Sequence, residues 1–385
     1  MTLFLLTFFM LYGSIHLYAF LKAKAAFAFG IHTGIYIALV MIIMVFAPVI
    51  VRLSERAGFD FLARLMSYIG YMWMGVLFLF FSASLLIDAY RFFMYSGGLI
   101  LRRDFTLFMP SAKFSFLMPF VLAIIIGVYG YFEARNIRAE KIILNTSKIP
   151  EEIGTLRIVQ ISDVHLGLIV REEKLRRIVK EVVMANPDIL VSTGDLVDGQ
   201  IDNLFKLAEI LKEINPRYGK YAITGNHEFY AGLDNALKFT EKAGFKVLRG
   251  ERLILAGLIN IAGVDDPQGK AYGIYRGMPE NELLSGLSAE KFTLLLKHRP
   301  LVDKSALGLF DLQLSGHVHK GQIFPFSIIT GLYYPVQAGF ADLLNGSRLY
   351  VSRGSGTWGP PIRFLSPPEV TVIDLVHKEM GSGKN

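Results

Sequence analysis

Before residue 132 the chain offers water almost nothing. Thr2–Leu21 is nearly all apolar and aromatic; Ala26–Val51 contains the apolar run 35–46; Leu65–Tyr95 contains 75–81; Phe114–Phe132 contains 121–128. Each stretch approaches the length that crosses a hydrocarbon core, about 20 residues as helix. A helix buried in a soluble core would still show a polar stripe, and these show none. In lipid, only segments that satisfy their own backbone survive, so this region is confined to membrane-spanning helices. Four are expected, filling residues 1–132. Thr2–Leu21 lacks the basic start and small-residue cleavage site of a signal peptide. His16 is expected to pack or snorkel, and Asp88 and Arg91, three apart near a helix end, to pair at the interface.

Hydrophobic residues make up 52% of the chain, and the excess sits in that first third. The remaining two thirds are built differently. Residues 133–154 are charged and then mixed, and read as a linker; Gly381–Asn385, within a tail spanning 378–385, reads as frayed. Between them, three apolar runs end in polar clusters. Arg157–Ser162 leads into Asp163-Val164-His165. Asp188–Thr193 leads into Gly194-Asp195-Leu196-Val197-Asp198. Tyr221–Thr224 leads into Gly225-Asn226-His227-Glu228. An isolated His298 and Gly316-His317-Val318-His319 complete the set. Residues two apart on an extended chain share a side, so Asp163 and His165 can face one point. Glu172–Ala185, Asn203–Ile214 and Leu233–Ala243 have helical periodicity between these strands, which gives an α/β class with its site at strand C-termini.

The donors are carboxylate, amide oxygen and imidazole, the ligands of Mn, Fe or Zn, and there are enough for two ions. The chain has no cysteine, which excludes thiolate zinc sites and disulfides. One Asp-x-His alone is a capped turn; five motifs in this order are a site. Paired divalent ions are the usual device for in-line displacement at phosphorus, so the chemistry expected is phosphoester hydrolysis. Asp198 and Glu228 stand either as partners orienting ligand imidazoles or as solvated loop carboxylates. Arg353 and Arg363 stand as grips for a second phosphate or as surface charge.

The motif set resembles the calcineurin-like metallophosphoesterase superfamily over about residues 155–377. Residues 316–323 and 350–363 resemble its bacterial membrane-associated branch, which includes enzymes similar to UDP-2,3-diacylglucosamine hydrolases. The resemblance implies a four-layer αββα sandwich. It implies one metal on Asp163, His165, Asp195 and His319, a second on Asp195, Asn226, His298 and His317 with Asp195 bridging, and His227 as general acid. Where that branch usually has a threonine and a glycine, this chain has Val318 and Lys320, which puts a cation beside the site.

The expected molecule is a membrane-anchored phosphohydrolase acting on a phosphate-containing, lipid-linked substrate. Alternatives are a tethered nonspecific phosphodiesterase or nuclease, and a scaffold with a decayed hydrolase domain. Phe324, Phe326, Leu332, Tyr333, Tyr334 and Phe340 are expected mostly as ordinary core, with an acyl groove as the alternative. The net charge of +7 suits an anionic bilayer surface. No recognition helix or stacking motif accompanies it, so no nucleic acid is expected, and no protein partner is inferred. Lys22, Lys24, Arg102, Arg103 and Lys113 fall in loops one and three, against Arg52, Arg56 and Arg64 in loop two. This favours a catalytic domain outside the cytoplasm, in a bacterial inner membrane, although Arg135, Arg138 and Lys141 offset part of the bias.

Overall fold

The computed structural model describes residues 2–199 and 204–379. The chain forms two units, one of the residues before Glu133 together with Gly359–Ile362 and one of the remainder. The first is helical: α1 (Thr2–Phe27), α2 (Ile31–Val45), α3 (Ala47–Arg56), α4 (Asp60–Leu101) and α5 (Ala112–Glu133). Three segments, containing α1, α4 and α5, are long and apolar enough to cross a membrane. The fourth expected span is broken instead: α2 and α3 meet at a bend of 52°. Pro48 near the start of α3 lacks the N–H that would continue the α2 ladder, so the helix turns there. Counted together the pair makes a fourth candidate; alone, the 15 residues of α2 are about 22 Å long.

Small residues let α3 approach α4, since a Cβ on Gly70 would lie 2.6 Å from that of Ala47. Polar groups in this unit pair across helices. Trp73 Nε1 donates to His16 Nε2 at 2.9 Å, so His16 packs as expected. Asp88 does not pair with Arg91. It accepts from Lys22 Nζ at 2.8 Å and Tyr18 Oη at 2.5 Å, both on α1. A carboxylate on an apolar helix is satisfied best by donors that hold a second helix in place.

The second unit carries two six-stranded mixed sheets. The strands are β1 (Arg138–Thr146), β2 (Thr155–Ile161), β3 (Ile189–Ser192), β4 (Lys220–Ala222), β5 (Lys246–Val247), β6 (Glu251–Leu255), β7 (Ile259–Gly263), β8 (Phe292–Leu296), β9 (Leu312–Ser315), β10 (Gly339–Asp342), β11 (Arg348–Val351) and β12 (Glu369–His377). One sheet has the order β1-β12-β2-β3-β4-β5 and the other β10-β11-β9-β8-β7-β6. Alternation along β2 explains the layering. Leu156 and Ile158 point into a core shared with Ile261, Leu294 and Leu314 of the other sheet. Val159 and Ile161 point the other way, onto α6 (Glu172–Ala185), α7 (Phe205–Lys212) and α9 (Leu233–Lys242) through Ile178, Leu211 and Phe239. Between α7 and α9 lies the short α8 (Asn226–Tyr230). The outer face of the second sheet is thinly covered, by Leu283, Leu284, Ala306 and Phe310.

Two expectations are corrected here. The stretch taken as a linker holds β1, which pairs in parallel with all nine residues of β12. Its Ile142 and Leu144 pack on the shared core, so charge at its start masked a strand. Of the aromatic and apolar side chains expected in a core after residue 323, only Tyr334 is buried, while Phe324, Phe326, Leu332, Tyr333 and Phe340 are exposed. Of the expected tail 378–385, residues 380–385 lie outside the described residues, as does Asn203 at the expected start of α7.

Candidate metal centre

Every motif sits just past the C-terminal end of a strand: Asp163 and His165 after β2, Asp195 and Asp198 after β3, Asn226 and His227 after β4, His298 after β8, His317 and His319 after β9. Turning so many polar side chains onto one spot bends the backbone hard. Asp163, His165, Asp195, His317 and His319 all have φ between 50° and 73°. Non-glycine residues there cost of order 1–3 kcal/mol each and persist where a site over-determines them. The turns also need glycine. A Cβ on Gly225 would lie 2.2 Å from Asp195 Oδ1, and one on Gly194 would lie 2.6 Å from the Gly225 nitrogen.

The side chains converge. Asp195 Oδ2 is 3.1 Å from His298 Nε2 and 3.9 Å from His165 Nε2. Asp163 Oδ1 is 3.3 Å from His319 Nε2. Two pairs of imidazole nitrogens face one another, His165 Nε2 and His319 Nε2 at 3.1 Å, and His317 Nδ1 and His298 Nε2 at 3.2 Å. Among the described residues, three groups could each hold an ion: Asp163, His165 and His319; Asp195, His298 and His317; and His165, Asp195 and His227. Asn226 Oδ1, which the resemblance makes a ligand, is buried and accepts no hydrogen bond. Facing ring nitrogens, buried carboxylates and an orphaned amide oxygen fit divalent cations of borderline character.

Charge tells the same story. Burial pushes His298 toward its neutral form, but the Asp195 carboxylate outweighs this and raises its pKa to about 10. The demand for positive charge beside Asp195 is the demand a cation meets. Burial lowers His317 to about 3, helped by the neighbouring His298 charge, and lowers His319 to about 4 against the pull of Asp163. Both rings are therefore neutral near neutral pH.

The partners of these groups hold them in place. His298 Nδ1–H donates to the Thr193 carbonyl at 2.8 Å, which leaves Nε2 for the site. Asp163 accepts from Ser162 Oγ at 2.5 Å and from the His317 amide. Glu228 is a backbone clamp: its carboxylate accepts from the amides of Asp195, Leu196 and Gly225 at 2.6–3.0 Å, joining the turns after β3 and β4. Asp198 Oδ1 accepts from His227 Nδ1 at 2.8 Å and lies 3.5 Å from His165 Nδ1. Arg363 is fully buried and spends its donors on carbonyls of Gly356 and Arg353 and on His319 Nδ1. Arg353 is held by Glu140 and Glu369. Neither arginine is placed to grip a second phosphate. Lys320 is exposed, with φ 50°.

Several residues near the site escaped the sequence reading. Arg299 follows His298 and is held by both oxygens of Asp266, at 2.8 and 3.0 Å. Asp265 accepts from Arg249 and from Thr224 just before Gly225. The signal was present: β7 ends in a glycine and then, one residue on, two aspartates, a pattern like that of the other motif strands. Aromatic rings line the mouth. Tyr230 and Trp358 approach the His227 ring at 5.2 and 6.1 Å, and Tyr334 approaches His317 at 5.5 Å. Of these, Tyr334 was expected as core or acyl groove and Trp358 lay within the stretch 350–363; nothing in the local sequence marked Tyr230.

Comparison with known proteins agrees with this geometry. Residues 156–321 match the profile of the Calcineurin-like phosphoesterase family. An uncharacterized metallophosphoesterase from Aquifex aeolicus (strain VF5) is 42% identical over 67% of this chain and 98% of its own length. Metallophosphoesterase YkuE from Bacillus subtilis (strain 168), also uncharacterized, is 35% identical over 65% of this chain and 90% of its own. A transmembrane protein with metallophosphoesterase domain from Danio rerio is 35% identical over 67% of this chain but only 62% of its own length. With the metal-ligating geometry, these matches make the chain a metal-dependent phosphoesterase belonging to the calcineurin-like phosphoesterase family.

Proposed function

We propose that this chain is a membrane-anchored phosphohydrolase that cleaves a phosphoester, phosphodiester or pyrophosphate bond of a lipid-linked substrate at two divalent ions. Residues 1–132 anchor it in a bacterial inner membrane, and the second unit carries the chemistry on the extracytoplasmic side. Asp163, His165, Asp195 and His319 hold one ion; Asp195, Asn226, His298 and His317 hold the other. When bound, such a pair supplies Lewis-acid charge at the phosphoryl oxygens and activates water for in-line attack. The observation that carries this reading is the Asp195 carboxylate, which lies between His298 and His165 and belongs to two of the three groups able to hold an ion.

The protein's own groups do the rest. Burial would strip the proton from His227, but the charge of Asp195 and the hydrogen bond to Asp198 lift its pKa to about 9. Its Nδ1–H is committed to Asp198, so Nε2 carries the proton that can pass to a departing alkoxide. Glu228 and Gly225 keep the turns after β3 and β4 in register, which fixes His227 relative to Asp195: its amide donates to Asp195 Oδ1 at 2.8 Å. A second reading has one support, that His227 also lies within ligating reach of His165 and Asp195. In that reading it binds metal instead of donating a proton.

The substrate reading is tested by offering the purified full chain UDP-diacylglucosamine, phospholipids and p-nitrophenyl phosphate esters. Faster turnover of a lipid-linked phosphate than of the nitrophenyl esters supports it. Turnover confined to the nitrophenyl esters contradicts it.

A further inference from the structure

From Gly321 to Ala341 the chain has no Asp, Glu, Lys, Arg or His. A run without charge is ordinary inside a core. This one lies largely on the surface. Ile328 is 62% exposed, Leu332 87%, Tyr333 66%, and Ile329 is also exposed. They sit on the short helix Phe326–Gly331 and the turn after it. Residues 328 and 332, and 329 and 333, are four apart and share helix faces. Single exposed apolar side chains need no explanation, but a cluster of them marks a surface that meets another apolar phase.

The cluster is tied to the metal centre at two points. Tyr334, buried at 8% exposure, packs its ring 5.5 Å from that of His317. Gln322 clasps the backbone of Trp358: its Oε1 accepts from the Trp358 amide at 2.9 Å and its Nε2 donates to the Trp358 carbonyl at 2.8 Å. Trp358 is itself 54% exposed, with its ring 6.1 Å from His227.

We propose that segment 321–341, with Trp358, is a docking surface that seats the mouth of the metal centre in the headgroup and upper acyl region of a bilayer. Branched aliphatic tips with Tyr and Trp rings, and no charge, are the chemistry of an interfacial segment, not of a water-facing one. Exposed Lys320 borders the run, and the chain's net charge is +7, which complements anionic headgroups. A bilayer is the partner the chain always has at hand. It carries helices long and apolar enough to cross one, and only Ala134–Ile137 separate the last of these from β1. The surface does not depend on which phosphate bond is cleaved. Its consequence is that a phosphate in the headgroup plane meets His227 and the ligand cluster without being drawn into water.

The chain has two tryptophans, Trp73 and Trp358, which makes the surface directly readable. In full-length Trp73→Phe, Trp358 is the sole indole emitter. The protein is placed in vesicles of phosphatidylglycerol and phosphatidylethanolamine, with or without bromine near the top of the acyl chains. Bromination should quench Trp358 about twofold, as for a ring at interfacial depth, and aqueous iodide should not reach it. Adding Ile328→Asp and Leu332→Asp should abolish the bromine quenching and admit iodide. Because Trp73→Phe removes the donor to His16, a second arm keeps Trp73 and takes Trp358 as the difference between wild type and Trp358→Phe. If iodide quenches Trp358 and bromine does not, the surface faces water and the proposal fails. If neither quenches it, protein covers the surface, a second copy included, and the proposal fails equally. Hydrolysis of p-nitrophenyl phosphate by the same vesicles reports on the phosphoesterase reading separately.

Discussion

At the scale of single residues, His227 and Gly225 separate what the site binds from what it does. If His227 is the proton donor, His227→Ala keeps its metals and slows a substrate with a poor leaving group by about 10²–10⁴-fold. The loss shrinks with p-nitrophenolate as leaving group, because that anion needs little protonation. Equal losses on both substrates, or a fall in metal content, show that His227 is a ligand. Gly225 tests the packing. Adding a methyl 2.2 Å from Asp195 Oδ1 forces either the carboxylate or the turn to move. Gly225→Ala should lower stability by about 1–3 kcal/mol and reduce metal content, read by thermal unfolding and elemental analysis. A variant with wild-type stability and metals would mean that the turn adapts freely. The ligand types were legible in the sequence because polar clusters after β-branched runs have few other uses. The roles of Glu228 and Arg363 were not. Both depend on backbone amides and carbonyls brought together by the fold, and a backbone contact leaves no mark in residue type.

At the scale of elements, β1 shows where reading the sequence stopped short. Arg138–Lys141 is charged enough to look like a solvated linker, and it lies at the edge of its sheet, where such residues are tolerated. Yet β1 contributes Ile142 and Leu144 to the shared core and pairs along its whole length with β12. A version of the chain starting at Asn145 therefore loses a strand and uncovers the backbone edge of β12. It should be markedly less stable and more prone to aggregate than one starting at Ala134, by differential scanning calorimetry and light scattering. Equal behaviour of the two would show that β1 is dispensable. The helices α6 and α9 were readable from periodicity almost to the residue, since each buries one stripe on a sheet. The break between α2 and α3 was not. The hydropathy of the segment is continuous, and the bend rests on the lack of one N–H at Pro48 together with the close seating of Ala47 on Gly70.

At the scale of the whole molecule, the sequence already divides into a region water cannot solvate and a region that ends its strands in carboxylate and imidazole clusters. Exposure was the least legible property: Phe324, Phe326, Leu332, Tyr333 and Phe340 read mostly as core and are exposed, because an uncharged run says nothing about which phase it faces. The central claim is that both halves of the ligand set serve one catalytic pair of ions through Asp195. Elemental analysis of the purified full chain, wild type beside Asp195→Asn, tests it most directly, with hydrolysis measured on the same samples. The account predicts about two transition-metal ions per wild-type chain, with chelation removing them and the activity together. It predicts loss of both ions, or of nearly all activity, in Asp195→Asn. A fully active Asp195→Asn variant, or an active wild-type chain without metal, would contradict it.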